Sequence, residues 1–135
     1  MSNTKIISTP LFGSIKVDAS IANLIYELNN SGVLTMNCCS GIIEDHPKEK
    51  WILNSNSYIQ FVTNQELWDF LCKNQGLFTE YDIAATLSIT LHHPSIGEFD
   101  NNICIRFNDK DNEVRKAKWA VIKRLFGEYI GKNII

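Results

Sequence analysis

Two segments that alternate polar and apolar residues restrict the fold more than any other feature of this chain. Ser57–Val62 changes character at nearly every position, and residues 102–108 follow the same period of two. A period of two predicts strands that bury one face and leave the other to solvent. Helices packed on the apolar face of such a sheet would make an α+β fold.

Three helices are predicted around these strands. Asp18 is a suitable N-cap for the first helix, whose apolar residues recur at spacings of three and four. A capping box at residues 63–66 begins the second helix, which ends at Gly76. The third helix opens near Asp109, and Gly131 closes it.

Further strands are predicted at residues 33–39 and 83–91, while a strand beginning at residues 42–43 and one before the first helix are optional. No internal repeat or linker is evident. The prediction is therefore one α+β domain over residues 1–135, with a mixed or antiparallel sheet and three helices packed on it.

Composition excludes several classes of protein. The chain has 135 residues, of which 44% are hydrophobic, and its few Gly and Pro exclude a collagen-like or disordered chain. No apolar run approaches the roughly 18 residues that span a bilayer. Residues 1–14 show no secretory signal, so we expect a cytoplasmic protein without a membrane partner.

Charge is unevenly distributed along the chain. The net charge of −2 argues against strong nonspecific binding to nucleic acid. Residues 109–135 nevertheless carry seven Lys or Arg against four Asp or Glu, which suits an acidic partner or RNA. A solvated helix face is the preferred interpretation. Trp119 lies among these basic residues. It could contact a partner, a nucleic-acid base or a second copy of the chain, but packing on its own sheet is the preferred interpretation.

The four cysteines are Cys38, Cys39, Cys72 and Cys104. We expect them to be reduced, because the spacing resembles no secreted scaffold. Cys72 and Cys104 lie in apolar patterns and are expected to be small core residues. No C-x-x-C pair is present, so a structural zinc knuckle is not expected and no metal is predicted.

The stretch that ends in Cys39-Ser40-Gly41 is the candidate binding site. Small residues after a strand let backbone amides approach a ligand, and the amides of Ser40 and Gly41 are expected to hold an anionic group. Asn37 and Cys39 would contribute from the strand, and the fork of Arg106 would supply charge. The alternatives are a tight structural turn and, for Arg106, a cross-strand ion pair with an acidic residue.

Two chemical alternatives involve the histidines. Cys39, His46 and one of His92 or His93 could form a zinc site, although surface-loop histidines are the preferred interpretation. A thiolate at Cys38 or Cys39 with a histidine base could act as a nucleophile. Because successive strand residues point to opposite faces, at most one of the two thiols would reach a cleft.

The run Thr35-Met36-Asn37-Cys38-Cys39-Ser40-Gly41, after a helix and an Asn-Asn-Ser-Gly turn, resembles a known family. It is similar to the N-terminal part of the wybutosine-synthesising tRNA methyltransferases, in which a Thr-rich strand ends in Ser-Cys-Ser-Gly-Arg. It is also similar to small uncharacterised bacterial proteins with a Cys-x-Gly-His segment. The resemblance implies S-adenosylmethionine as ligand and a tRNA purine as substrate, with Ile42 in place of the family's Arg.

The functional expectation is a small ligand- or partner-binding protein that performs no covalent chemistry. Its binding residues are predicted to be Asn37, Cys39, Ser40, Gly41 and Arg106. An S-adenosylmethionine-dependent RNA methyltransferase is one alternative. A homodimeric protein-interaction module is the other. No cofactor follows from the residues themselves.

Overall fold

The computed structural model describes residues 3–89 and 101–135. Within them lie six strands and four α-helices. In chain order these are β1 (Thr4–Thr9), β2 (Gly13–Asp18), α1 (Ala22–Asn30), β3 (Thr35–Cys39), β4 (Ser57–Val62), α2 (Gln65–Lys73), α3 (Gln75–Tyr81), β5 (Ala84–Ser88), β6 (Asn102–Phe107) and α4 (Asn112–Ile130).

The described strands form two antiparallel sheets. β1 and β2 make a hairpin, and the second sheet has the order β3-β4-β6-β5. Every pairing in the second sheet is antiparallel, with a bulge in β3 between Thr35 and Asn37. The predicted α+β class with an antiparallel sheet is confirmed.

One face of the four-stranded sheet is covered by helices. Alternate residues of the central strands, among them Ile59, Phe61, Ile103 and Ile105, are almost fully buried and join the core with residues of all four helices. The opposite face, here called the open face, carries alternate residues of the four strands, each of them exposed or half-buried. They are Asn37, Cys39, Tyr58, Gln60, Val62, Ala84, Thr86, Ser88, Asn102, Cys104 and Arg106.

Asp18 does not cap the first helix, which corrects the prediction. A short 3-10 turn, Ala19–Ile21, separates Asp18 from α1, and the Asp18 side chain makes no capping hydrogen bond. Its carboxylate instead accepts a hydrogen bond from the backbone N–H of Ser40. A buried amide needs an acceptor, and that requirement outweighs the local capping preference.

Two other predicted elements differ from the structure. The second helix is interrupted at Asn74, whose side-chain amide donates to the Phe70 carbonyl, so α2 and α3 replace one helix and the total is four rather than three. Residues 42–43 do not form a strand, because the 3-10 turn Ile43–Asp45 follows directly. The predicted strand at 83–91 is confirmed as β5, and residues 90–91 lie outside the described residues.

The last helix buries polar residues that the periodicity did not indicate. Asp111, not Asp109, is its N-cap, and Gly131 in the left-handed conformation ends it as predicted. Arg115 and Lys118 are buried, whereas Val114 is exposed.

Trp119 is 3% exposed, and its ring meets Phe107 edge-on. The packing interpretation of Trp119 is confirmed, and this side chain offers no surface to a partner. Cys72 is exposed and Cys104 is half-buried on the open face, so the prediction of two core cysteines is wrong.

Among the described residues, no helix is long and apolar enough to cross a membrane.

Candidate functional site

The turn after β3 is held from inside the protein. Ser40 is fully buried, its N–H donates to Asp18 Oδ2 over 2.7 Å, and its hydroxyl donates to Asp45 Oδ2 over 2.6 Å. The Ser40 carbonyl accepts a 2.7 Å hydrogen bond from Trp119 Nε1. The N–H, the hydroxyl and the carbonyl of Ser40 are therefore all hydrogen-bonded within the protein. The Ser40 amide is not available to a ligand, contrary to the prediction.

Gly41 is required by close packing. Its φ of +64° is in the left-handed region, and a Cβ there would overlap Nη1 of Arg115 and the hydroxyl of Ser57. Its carbonyl accepts from Arg115 Nη1 over 3.0 Å. For Ser40 and Gly41, the structural interpretation of the turn is the one that the contacts support.

Arg115 joins this turn to the last helix. The fully buried guanidinium donates six hydrogen bonds of 2.6–3.3 Å, mostly to backbone carbonyls, and with its acceptors it is called the arginine cluster. The acceptors are the carbonyls of Gly41, Ile52, Leu53, Ser55 and Asp109 and the hydroxyl of Ser57. No donor is left for a ligand, so the cluster is structural.

A second group of polar side chains meets at the other side of the turn. Asp18 ends β2, Cys39 ends β3 and His46 follows the 3-10 turn Ile43–Asp45. His46 Nε2 lies 3.0 Å from Asp18 Oδ2 and 3.9 Å from Cys39 Sγ. One ligand atom from each of the three residues lies within 4.8 Å of the other two, and the group is called the Cys–His–Asp cluster.

Each member of this cluster has a partner that positions it. Glu49 Oε2 lies 3.0 Å from His46 Nδ1, and the Ser40 N–H holds Asp18. The backbone of Gly41 lowers the pKa of the Cys39 thiol in part. The side chains of Asp18 and His46 are each 11% exposed, so the cluster lies just beneath the surface.

The electrostatics disfavour a free thiolate at either neighbouring cysteine. Burial raises the pKa of Cys39, and the Asp18 carboxylate raises it further against the smaller opposing effect of Arg115. Burial and Asp18 raise the pKa of Cys38 to about 12, and Cys38 pairs with Ile59 and packs against the core. His46 does lie beside Cys39, as the nucleophile alternative required, but the raised pKa values of both thiols work against a thiolate nucleophile.

The open face brings three predicted site residues together. Cys39 pairs with Tyr58, and Tyr58 pairs with Arg106, so the three residues form one row across β3, β4 and β6. The backbones of Cys39 and Arg106 are thus roughly 10 Å apart, two strand spacings of about 4.8 Å. Asn37 lies on the same face, and its side-chain oxygen accepts a hydrogen bond from the Cys38 N–H.

Arg106 forms neither a hydrogen bond nor an ion pair with any other described residue. Its cross-strand neighbours are Tyr58 and Ala84, neither of which is acidic. The alternative of an ion pair with an acidic residue on a neighbouring strand is therefore wrong. Arg106 is exposed and borders a small cavity of about 130 Å³ with Asp82 and Asn108.

The structure thus divides the predicted site residues. Asn37, Cys39 and Arg106 share the open face, whereas Ser40 and Gly41 are buried in the turn behind it. His46 joins Cys39, as the zinc alternative required. His92 and His93 lie outside the described residues.

Asp18 was missed as a site residue, because an Asp before an amphipathic run is read as a helix cap.

Comparison of the chain with protein-family models, with curated proteins and with solved structures gave no match. The resemblance to the wybutosine-synthesising methyltransferases therefore stays a prediction.

Proposed function

We propose that this protein binds a small anionic ligand on the open face, at the row Cys39–Tyr58–Arg106, and does no covalent chemistry on it. The observation that carries the proposal is the exposed guanidinium of Arg106, which has no partner among the other described residues. An exposed arginine fork on a rigid strand can bind a phosphate or carboxylate through two parallel hydrogen bonds.

The charge of the open face supports an anion. The face includes no Asp or Glu, and Arg106 is its single charged residue within the described part of the chain. The whole chain, by contrast, has a net charge of −2. Asp82 borders the cavity beside Arg106 and Asp18 lies next to Cys39, so the positive charge that an anion meets on this face is that of Arg106 itself.

The residues beside Arg106 favour a ligand with a flat part as well as an anionic group. Tyr58 is the direct neighbour of Arg106 and is half-buried, so part of its ring is available for stacking. Asn37, on the same face, adds an amide that can hydrogen-bond to a ligand. A nucleoside monophosphate combines both features and is a suitable probe.

An NMR titration tests this proposal. Adenosine monophosphate, inorganic phosphate and adenosine are added separately to ¹⁵N-labelled full-length protein. We expect saturable shifts of the Tyr58, Ala84 and Arg106 amides with the monophosphate, weaker shifts with phosphate and none with adenosine. Arg106→Gln should weaken monophosphate binding about 10-fold or more, since a hydrogen bond to a charged group contributes about 1.5–3 kcal/mol.

Arg124→Gln is the matched control, because Arg124 is an exposed arginine on α4, away from the open face. Its monophosphate affinity should equal that of the wild type. Equal weakening in both variants would indicate only general charge attraction, and the absence of saturable shifts on the open face would reject the proposal.

No contact among the described residues specifically supports the methyltransferase or the homodimer alternative. The buried Trp119 removes the residue on which a dimer interface was predicted. S-adenosylmethionine can be added in the same titration, and saturable shifts around Cys39 would favour the methyltransferase alternative. A cytoplasmic location is part of the proposal, in keeping with four free cysteines.

A further inference from the structure

The Cys–His–Asp cluster places three electron-pair donors around one point. His46 Nε2 lies 3.0 Å from Asp18 Oδ2 and 3.9 Å from Cys39 Sγ. Ligand bonds of about 2.0–2.3 Å to a tetrahedral zinc ion require separations of about 3.3 Å for N and O and about 3.6 Å for N and S. We infer that Asp18, Cys39 and His46 form a binding site for a divalent transition-metal ion of the zinc class.

The ligand types select that class of metal. A thiolate and an imidazole are borderline to soft ligands that suit Zn²⁺ and its transition-metal relatives, whereas Mg²⁺ and Ca²⁺ prefer oxygen ligands throughout. Three protein ligands also leave one tetrahedral position for water or another ligand. The site is therefore distinct from a closed structural site with four protein ligands.

The groups behind the ligands fit a metal site as well. Metal-binding histidines commonly donate their other ring N–H to a carboxylate, and Glu49 Oε2 lies 3.0 Å from His46 Nδ1. In this structure Nδ1 and Glu49 Oε2 lie at ion-pair distance without the geometry of a hydrogen bond, and Nε2 is the ring nitrogen that faces the cluster. The Ser40 N–H fixes Asp18 by a 2.7 Å hydrogen bond.

A rival explanation uses the same distances without a metal. A protonated imidazole of His46 could donate to Asp18 and to Glu49, one from each ring nitrogen, and form a double ion pair. In that case the Cys39 thiol takes no part in the interaction. The two explanations differ in whether the sulfur takes part, so the decisive measurement must observe the sulfur.

Cobalt substitution makes that measurement. Full-length protein is stripped with a chelator, and Co²⁺ alone is then added while the near-ultraviolet and visible spectrum is recorded. We expect one Co²⁺ per chain, with a thiolate-to-cobalt charge-transfer band that Zn²⁺ abolishes on displacement. Cys39→Ser should remove the band, and His46→Gln should weaken Co²⁺ binding.

Cys104→Ser is the matched control, because Cys104 is also half-buried on the open face but lies on β6, away from the cluster. It should bind Co²⁺ as the wild type does. Arg106→Gln should also retain the cobalt spectrum, so failure of the anion proposal and failure of the metal proposal are distinguishable.

Glu49→Gln covers the case in which Cys39→Ser does not fold. The Glu49 side chain is 35% exposed, and its replacement should weaken metal binding about 10- to 100-fold, the usual effect of losing a group that positions a metal ligand. Absence of stoichiometric Co²⁺ binding, or an identical charge-transfer band in Cys39→Ser and Cys104→Ser, would overturn the metal site and leave the ion pair.

Discussion

The arginine cluster and the Cys–His–Asp cluster lie on either side of the same turn and use their polar atoms in opposite ways. Arg115 brings a full set of donors to a ring of carbonyl and hydroxyl acceptors. In the Cys–His–Asp cluster, a carboxylate, an imidazole and a thiol face one another. The arginine cluster is complete in itself, whereas the metal proposal gives the other cluster its positive centre.

This difference separates a structural polar group from a candidate site better than residue type does. An arginine in a pocket is a common ligand-binding residue, yet Arg115 is fully buried and has no free donor. Asp18 looks like a helix cap in the sequence, yet it faces an imidazole and a thiol. The decisive property is whether the donors and acceptors of the cluster balance among themselves.

The largest expected effect comes from removing the arginine cluster. Arg115→Met keeps much of the side-chain volume but leaves five carbonyls and the Ser57 hydroxyl, all buried or partly buried, without their donor. Breaking a buried charged network of this kind costs about 3–5 kcal/mol. Urea denaturation followed by circular dichroism should show that loss in the free energy of unfolding.

Arg124→Met is the control on the same helix, since Arg124 is exposed. Its effect should stay within about 0.5 kcal/mol. If the two variants were equally stable, the arginine cluster would not be the structural element that its contacts indicate.

A smaller loss is expected for Gly41→Ala. The left-handed backbone costs a non-glycine residue about 1–2 kcal/mol, and crowding against Arg115 and Ser57 adds about 1–3 kcal/mol. Gly76→Ala is the matched control, because Gly76 lies within α3 with open space around it and should gain about 0.5–1 kcal/mol. The same urea titration measures both, and a loss in Gly76→Ala as large as that in Gly41→Ala would contradict the packing argument.

Local periodicity predicted the parts of the fold in which one face is buried. The predicted β4 has the observed bounds, and β6 ends one residue earlier than predicted, because a period of two reports burial on one side. Of the hairpin β1–β2, the sequence predicted only an optional strand. Ile6 and Ile7 are adjacent, so the sequence does not alternate there, and Ile6 is 70% exposed although it is apolar. Pro10 after β1 and Gly13 at the start of β2 were the available turn signal.

The candidate site was predictable only as far as local geometry reaches. Alternation correctly placed Arg106 on the face opposite Ile105 and Phe107, and the register adds Cys39 to the same row. The Ser40 N–H donates a hydrogen bond to the Asp18 carboxylate, and these residues are 22 positions apart in the sequence. No local pattern reports such a contact, so a structural turn and a ligand-binding turn look alike in sequence.

The smallest expected effect on stability comes from His46→Gln in metal-free protein, and it is the sharpest test of the comparison. Asp18 keeps its hydrogen bond from Ser40, and Glu49 is partly exposed and can be hydrated, so the loss should be about 1 kcal/mol or less. Urea denaturation with a chelator present measures it. A loss as large as that of Arg115→Met would mean that His46 already completes a balanced ion pair, and the two clusters would then be alike.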